Sequence, residues 1–358
     1  RGAVAGFALA SAFAASLGRR RPWPLLLTGA LVAATPARDA RLFAVGVYLR
    51  ISDFADPSPS AIRAFADEGW ELVSYEDGRT GAVAVGRSTR TGNTWLSING
   101  KVDASTGDDM PTQQLSGTLP VRLAQRPVRD VLVVGLASGV TAGTVLAEPG
   151  VRSLTVVELE PAVVRASAAF DGVNGRPLAD PRTALVIDDA RGWLSGTDRT
   201  FDAIVSEPSN PWITGVSSLF TREYWELLRG HLRDGGVVCQ WIQLYGMGTD
   251  ELRGLVRTFL EVFPDSRLFV TIEGADVLLI GGAQGPRDGA GPISHTLDAA
   301  GLARLGGSGW ANTDDRPWVE WSAPRWLHYD TAPANAALIR AIAAESPITA
   351  DGPSPSPP

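Results

Sequence analysis

A nine-residue stretch, IVSEPSNPW (204–212), places two polar side chains on a stiff loop. Residues 202–206 predict a buried strand, and Glu207 and Asn210 follow it, each directly before a proline. Proline fixes its own φ and biases the preceding residue towards extended geometry. The stretch therefore predicts a carboxylate and an amide that are held in fixed directions towards a ligand.

A glycine-rich turn, GLASGVTAG, follows an earlier apolar strand, VLVVG (131–135). Its glycines, Gly135, Gly139 and Gly143, let the backbone approach a ligand, and the helix that follows offers free N–H groups at its N-terminus. The spacing is not GxGxxG, so a dinucleotide site is not favoured. Two interpretations stay open here, a ligand-binding turn and a tight turn with no ligand.

Acidic residues end the next two predicted strands. Glu158 and Glu160 follow SLTVV, and Glu158 lies about 20 residues past the glycines, where an acid commonly binds ribose hydroxyls. Asp188 and Asp189 follow RTALVI, and an N-cap is the alternative role for Asp189. With Glu207, these acids predict a nucleoside site: ribose takes one acid, the adenine amino group takes the next, and the third faces the reacting centre.

The elements that must position these residues follow from the periodicity. Residues 71–102 alternate apolar and polar side chains between turn residues, which predicts a small antiparallel β domain. Residues 113–125 look helical, and beyond residue 130 continuous apolar strands alternate with helices. That alternation predicts an α/β fold with a parallel, doubly wound Rossmann-like sheet, in which ligands bind outside the carboxyl ends of the strands.

The composition excludes some classes of function. The chain has 358 residues, 44% of them apolar, and a net charge of −7, so a nucleic-acid partner is not expected. Cys239 is the one cysteine, which excludes a disulfide framework and fits a reducing compartment.

The N-terminal region differs from the rest in hydropathy. Residues 1–35 hold two apolar runs around Arg19-Arg20-Arg21, each shorter than the roughly 20 residues of a spanning helix. We interpret this region as the remnant of a membrane region with its arginines at the cytoplasmic edge. On this interpretation it anchors a catalytic domain that lies in the cytoplasm. The alternative is a soluble apolar helix. The predicted division is 1–35 membrane remnant, 36–120 small β region and linking helix, 121–330 Rossmann-like catalytic domain and 331–358 Ala/Pro-rich tail.

Several segments taken together resemble the spermidine synthase (polyamine aminopropyltransferase) family, continuously over about residues 90–270. They are WLSINGKVDASTGDDMPTQQLSGTLPV, VLVVGLASGVTAGTVLAEPGVRSLTVVELE, VIDDARGWL, FDAIVSEPSNPW and LFTREYWELLRGHLRDGGVVCQW. The chain looks most similar to spermidine synthase-like proteins that are fused to a bacterial membrane region. The resemblance implies a small β domain before a methyltransferase-like Rossmann domain, and transfer of an aminopropyl group from decarboxylated S-adenosylmethionine to putrescine, leaving methylthioadenosine.

The resemblance also implies roles for single residues. Gln113 matches a glutamine that contacts the nucleoside substrate, Glu158 the ribose-binding acid and Asp189 the acid near adenine. Glu207 stands where the family has the aspartate that helps to deprotonate the attacking amine. The stiff loop would then be the catalytic loop of an aminopropyltransferase.

Three positions depart from the family pattern. Ser138 replaces an aspartate that holds the cationic aminopropyl end of the donor, Asn210 replaces the second aspartate of the catalytic loop, and Thr112 replaces a tyrosine. Removing one buried partner of a charge pair costs about 3–5 kcal/mol. The nucleoside half of the site therefore looks intact, whereas the amine half looks rebuilt.

Other residues are candidates for the rebuilt half. Carboxylates that could replace the missing ones are Asp103, Asp108, Asp109, Asp314, Asp315 and Glu320, although Asp314-Asp315 also fits a capped surface turn. Trp212 and Trp241 could stack on a flat ring or a cation, with packing as the alternative role for Trp241. No metal spacing and no Ser-His-Asp pattern is found around His231, His295 and His328.

Three functions remain open on the sequence alone. The first is an aminopropyl-type transferase with Glu207 as its general base; the second is an S-adenosylmethionine-dependent methyltransferase; the third is a non-catalytic nucleoside-sensing domain of a membrane protein. No tightly bound cofactor is expected, and decarboxylated or intact S-adenosylmethionine is the expected co-substrate. The expected partners are a small amine, an adenine nucleoside and, through the N-terminal region, a membrane; a homodimer is left open.

Overall fold

The computed structural model describes residues 39–51, 54–288, 296–307 and 309–345. The predicted membrane remnant at 1–35, His295 and the Pro-rich end at 346–358 lie outside these ranges. Among the helices within them, none has both the length and the apolarity that crossing a bilayer requires.

The first sheet has four antiparallel strands in chain order. They are β1 (Trp70–Asp77), β2 (Ala82–Ser88), β3 (Thr94–Ile98) and β4 (Lys101–Ser105). Asn99 and Gly100 join β3 to β4 with φ of 52° and 81°, as expected of an Asn-Gly hairpin turn. The predicted antiparallel meander is confirmed.

The second sheet has seven strands in the order β10-β11-β9-β8-β5-β6-β7. They are β5 (Asp130–Val134), β6 (Ser153–Glu158), β7 (Thr183–Ile187), β8 (Phe201–Ser206), β9 (Leu232–Gln243), β10 (Arg267–Ile272) and β11 (Asp276–Gly281). Strands β5 to β9 pair in parallel, which confirms the Rossmann-like prediction. The sheet is mixed rather than wholly parallel, because residues 273–275 are too few for a crossover and return β11 antiparallel to β10.

Helices surround both sheets. They are α1 (Ala40–Ala44), α2 (Pro59–Asp67), α3 (Met110–Leu123), α4 (Val140–Ala147), α5 (Pro161–Ala166), α6 (Ala190–Ser195), α7 (Arg222–Gly230), α8 (Thr249–Val262), α9 (Ala299–Gly306), α10 (Trp318–Ser322) and α11 (Ala332–Glu345). Short 3₁₀ turns occupy Val47–Leu49, Ser167–Phe170, Pro177–Ala179, Val216–Phe220 and Ala323–Trp326.

The core lies on both faces of the second sheet. Side chains alternate along β5, so Leu132 packs on the face that carries Trp225, whereas Val131 and Val133 pack on the face that carries Leu119. Strand β9 lies between β8 and β11, and its Cys239 is fully buried on the Leu119 face.

Two predicted boundaries differ from the structure. The division at residue 120 falls inside α3, because Leu119 and Leu123 pack in the core of the second sheet. The predicted tail at 331–358 contains α11, whose Ile339 and Ile342 are buried in the core. The alanine-rich composition concealed a helix that contributes apolar side chains on one face.

Candidate active site

The glycine-rich turn lies directly against the catalytic loop. Gly135 has a φ of 91°, and a Cβ atom there would lie 2.8 Å from the carbonyl oxygen of Glu207. Gly139, with a φ of 80°, is the N-cap of α4. A Cβ at Gly143 would lie 1.8 Å from the carbonyl oxygen of Asn174. These close approaches account for the glycines and bring the ends of β5 and β8 together.

Glu158 holds the glycine-rich turn from the end of β6. One carboxylate oxygen accepts the backbone N–H of Leu136 at 2.8 Å, and the other accepts that of Glu160 at 2.8 Å. Burial raises the pKa of Glu158, and these hydrogen bonds oppose the rise. Each carboxylate oxygen has a further lone pair, so ribose binding by Glu158 stays a prediction that the geometry permits.

Asp189 begins α6 as an N-cap, which was the alternative interpretation of this residue. Its carboxylate accepts the backbone N–H of Gly192 at 2.7 Å. Asp189 is also exposed at the carboxyl end of β7. The adenine-binding role is therefore compatible with the cap and stays a prediction.

Gln113 and Ser138 are brought together between the two sheets. The Gln113 amide donates to the carbonyl oxygen of Ser105 at 2.9 Å and to the Asp109 carboxylate at 3.2 Å. The Ser138 hydroxyl donates to the Gln113 side-chain oxygen and accepts the N–H of Val140 at 3.1 Å. Gln113 thus links the end of β4 to the glycine-rich turn.

Glu207 follows the last residue of β8, and its backbone N–H donates to the Val134 carbonyl oxygen at 3.1 Å. Removal of its carboxyl group from water raises the pKa of Glu207 to about 7; the hydroxyl groups of Ser116 and Thr141 oppose the rise, and the Asp276 carboxylate adds to it. A carboxyl group with this pKa exchanges a proton near neutral pH, as a general base requires.

Asn210 is fully buried at the tip of the loop. Within the described ranges neither its side-chain oxygen nor its nitrogen makes a hydrogen bond of good geometry, although the amide lies near enough to the Tyr245 hydroxyl to oppose the rise that burial causes in the pKa of Tyr245. Buried polar atoms are normally hydrogen-bonded. The Asn210 amide therefore has hydrogen-bonding capacity beyond its contact with Tyr245.

An ion pair absent from the sequence predictions lies beside this loop. The Lys101 ammonium is 2.8 Å from the Asp103 carboxylate, and the Ser209 hydroxyl donates to the same carboxylate oxygen at 2.6 Å. Burial alone would lower the pKa of Lys101, but the Asp103 carboxylate, together with Tyr245 and Asp276, outweighs burial and raises the pKa above its usual value. The sequence contained one indication of this ion pair, because residues 101 and 103 are two apart in β4 and therefore lie on the same face of the strand.

Asp276 is a second carboxylate that sequence reasoning missed. It is buried, and the Thr112 hydroxyl donates to it at 3.0 Å. Burial raises the pKa of Asp276, and the Thr112 bond opposes the rise. Its signal in the sequence is an acid that opens a wholly apolar strand, VLLIG.

The remaining candidate carboxylates lie elsewhere. Asp314 makes a bidentate ion pair with Arg191, at 2.8 and 2.7 Å, which supports the interpretation as a surface turn. Asp108 and Asp315 are exposed, and Glu320 accepts a hydrogen bond from Ser217. Of the proposed replacements, Asp103 is the one that contacts the catalytic loop.

The tryptophans have different surroundings. Trp212 packs edge-on against Tyr245, with ring centroids 6.1 Å apart. The Lys101 ammonium lies 5.8 Å from the centre of the Trp241 ring, so this ring already faces a cation of the protein itself. No cluster of His, Cys, Asp and Glu suited to a metal ion occurs within the residues that the structure describes.

Comparisons with known proteins agree with this geometry. Residues 118–272 match the spermine/spermidine synthase domain. The spermidine synthase of Dictyostelium discoideum is 29% identical over 202 residues, which cover 56% of this chain and 70% of that protein. Polyamine aminopropyltransferase 1 of Streptomyces coelicolor is 32% identical over 177 residues, which cover 48% of this chain and 32% of the relative.

A solved structure supports the fold. The crystal structure of a spermidine synthase in complex with the transition state analogue AdoDATO matches with a TM-score of 0.52 and 19% identity, over 59% of this chain and 73% of that one. At this identity the likeness concerns the fold. In sequence, the matching domain and these relatives show that the chain is similar to spermine and spermidine synthases.

Proposed function

We propose that the protein is an aminopropyltransferase-type enzyme that uses decarboxylated S-adenosylmethionine, or a closely related adenine nucleoside, and an amine acceptor. The observation that carries the proposal is the position of Glu207. Glu207 directly follows β8, its backbone lies against the glycine-rich turn, and its carboxyl group has a pKa of about 7. The similarity to the spermine/spermidine synthase domain and to a spermidine synthase supports the same class of reaction.

The nucleoside half of the site would hold the donor. The glycine-rich turn and the N-terminus of α4 supply close backbone and free N–H groups. Glu158 supplies a carboxylate for the ribose hydroxyls, and Asp189 supplies one for the adenine amino group. Gln113 bounds the site on the side of the small sheet.

The transfer step would then be a single displacement. The lone pair of the acceptor nitrogen attacks the aminopropyl carbon next to the sulfonium. The carbon–sulfur bond breaks, its electron pair stays on sulfur, and methylthioadenosine leaves. The proton lost by the acceptor nitrogen passes to the Glu207 carboxylate, so charge and atoms balance.

Incubation of the full chain with decarboxylated S-adenosylmethionine and a panel of amines tests the proposal, with methylthioadenosine and the alkylated amine as measured products. Glu207→Gln keeps the shape of the side chain and removes its basicity, so the rate should fall by about 10²–10⁴. The affinity for methylthioadenosine, measured by calorimetry, should hardly change. Full activity in Glu207→Gln would remove Glu207 from the mechanism, and absence of turnover with every amine would contradict the function. Methylated products from intact S-adenosylmethionine would instead indicate a methyltransferase.

A further inference from the structure

A cavity of about 770 Å³ opens beside the catalytic loop, between the first sheet, the segment 44–50 and the loop 244–247. Its walls include six aromatic side chains, namely Phe65, Trp70, Trp95, Trp212, Tyr245 and Tyr329. Its charged lining residues are Arg50, Glu68 and Lys101. The walls thus suit a flat or apolar body better than a chain with several charges.

Cationic side chains of the protein itself already lie against the acid and the aromatic rings near this cavity. The Lys101 and Asp103 side chains are 9% and 8% exposed and pair at 2.8 Å. Arg50 lies 5.8 Å from the ring centre of Phe65, and Arg41 lies 5.9 Å from that of Trp70. Beside the Lys101–Asp103 pair, a second ammonium group of a ligand would meet a carboxylate that is already neutralised, at the desolvation cost of an unpaired charge. Glu68, the other acid at these walls, is exposed to solvent.

Polar groups that lack donors lie around the tip of the loop. Within the described ranges, no hydrogen-bond donor of good geometry reaches one carboxylate oxygen of Asp103 or the side-chain oxygen of Asn210, although both atoms are buried. Oxygens of this kind accept N–H groups. One ammonium group, with three N–H donors, matches this need.

Resting on the proposed function, we propose that the acceptor is a monoamine with an aromatic or apolar body. Its single ammonium group binds the open oxygens at the catalytic loop, and its body fills the aromatic cavity. Lys101 stands in for the second cation that a diamine would bring. This lysine is therefore a specificity-determining residue that disfavours diamines.

Binding of two probe amines tests the inference without turnover. Calorimetry on the full chain saturated with methylthioadenosine compares the affinities for phenylethylamine and putrescine. Phenylethylamine should bind about tenfold more tightly, because its ring fills the aromatic cavity whereas putrescine brings a second ammonium group. Tighter binding of putrescine to the parent protein would overturn the inference.

Variants of Lys101 test its role. Lys101→Met frees the Asp103 carboxylate for a ligand ammonium, so the affinity for putrescine should rise about tenfold or more, which requires only part of the interaction of a buried charge pair. Lys101→Arg keeps the cation and should keep the parent's preference. A purely structural ion pair predicts a lower melting temperature in Lys101→Met with no gain in putrescine binding, and that result would contradict the inference.

Substitution of a residue in the cavity wall tests the inference without changing the Lys101–Asp103 ion pair. Tyr329 is 66% exposed at the cavity, so Tyr329→Ala should fold normally. The variant should weaken the binding of phenylethylamine several-fold by loss of apolar contact and leave the affinity for putrescine unchanged. An equal loss of affinity for both amines would count against a monoamine acceptor. Selective phenylethylamine binding without any transfer would refute the proposed function and leave this inference standing.

Discussion

At the scale of single residues, the acids at the strand ends have separate tasks. Glu158 accepts two backbone N–H groups and fixes the glycine-rich turn. Asp189 caps a helix from an exposed position. Burial raises the pKa of Glu207 to about 7, so the same side-chain chemistry gives a scaffold, a cap and a titrating group.

The first prediction concerns the pH dependence of Glu207. A general base must be deprotonated, so kcat/KM should rise with pH and level off above an apparent pKa of about 7. Stability should change in the opposite sense. Because the folded pKa is raised from 4.5 to about 7, the native state keeps a proton that the unfolded chain loses, and stability falls as pH rises through that window.

Rate profiles and melting curves from pH 4 to pH 9, roughly the range where carboxyl and imidazole groups titrate, check this prediction. Glu207→Gln is the matched control, since it cannot titrate and its melting temperature should fall less over the same window. A parent rate that does not vary between pH 6 and pH 8, the range around the expected midpoint, would be incompatible with Glu207 as the base.

The second prediction separates the two roles of Asp189. Serine is as good an N-cap as aspartate, so Asp189→Ser should leave the melting temperature nearly unchanged. Its short hydroxyl cannot replace a carboxylate bound to adenine, so methylthioadenosine affinity should fall by about 10-fold or more, as for a hydrogen bond to a charged group. Unchanged affinity with unchanged stability would leave Asp189 as a cap only.

Sequence reasoning reached some of these residues and missed others for a physical reason. The acids at positions 158, 189 and 207 could be found because each directly follows an apolar strand, and parallel strands end at one edge. Lys101 and Asp276 join the site through the packing of β4 and β11 against other elements. No local pattern specifies which distant segments meet.

At the scale of elements, α11 stabilises the loop that carries Tyr245. Asn335 is fully buried, and its amide donates to the carbonyl oxygens of Leu244 and Met247 at 2.8 and 2.9 Å. The composition of residues 331–358 predicted a tail because alanine and proline offer little apolar surface. A few buried side chains and one amide were enough to attach the helix.

The third prediction follows from this attachment. Asn335→Ala leaves two buried carbonyl groups without their donor, so unfolding in urea should require about 2–3 kcal/mol less free energy. Ala334→Gln, at an exposed position of the same helix, should change it by less than about 0.5 kcal/mol. Equal stability of the two variants would show that the helix is held by its apolar face alone.

At the scale of the whole molecule, Glu160 connects the two sheets. Its carboxylate accepts the N–H and the hydroxyl of Thr80 at 2.8 and 3.0 Å, and the N–H of Ala162 at 3.1 Å. Burial alone would raise the pKa of Glu160, but these hydrogen bonds hold it below its usual value. The first sheet is thus attached to the Rossmann-like part by a charged, multiply bonded group.

The fourth prediction tests this connection. Glu160→Ala should speed hydrogen exchange of the amides in β1 and β2 by about tenfold or more, the scale of losing hydrogen bonds to a charged group, while the amides of β5 change less. Glu76→Ala removes the exposed ion pair with Arg165, which joins the same two parts, and should have almost no effect. Uniform acceleration across both sheets in Glu160→Ala would mean that they open as one unit.

The fully buried Cys239 gives the molecule a built-in reporter. It is the one cysteine of the chain, and burial in β9 raises its thiol pKa well above the usual value. The thiolate is the reactive form, so a thiol reagent can modify the native protein only when the elements packed on the Leu119 face of the sheet move away from β9. The labelling rate therefore measures how often the centre of the sheet opens, and any ligand that binds the closed form slows that rate in proportion to its occupancy.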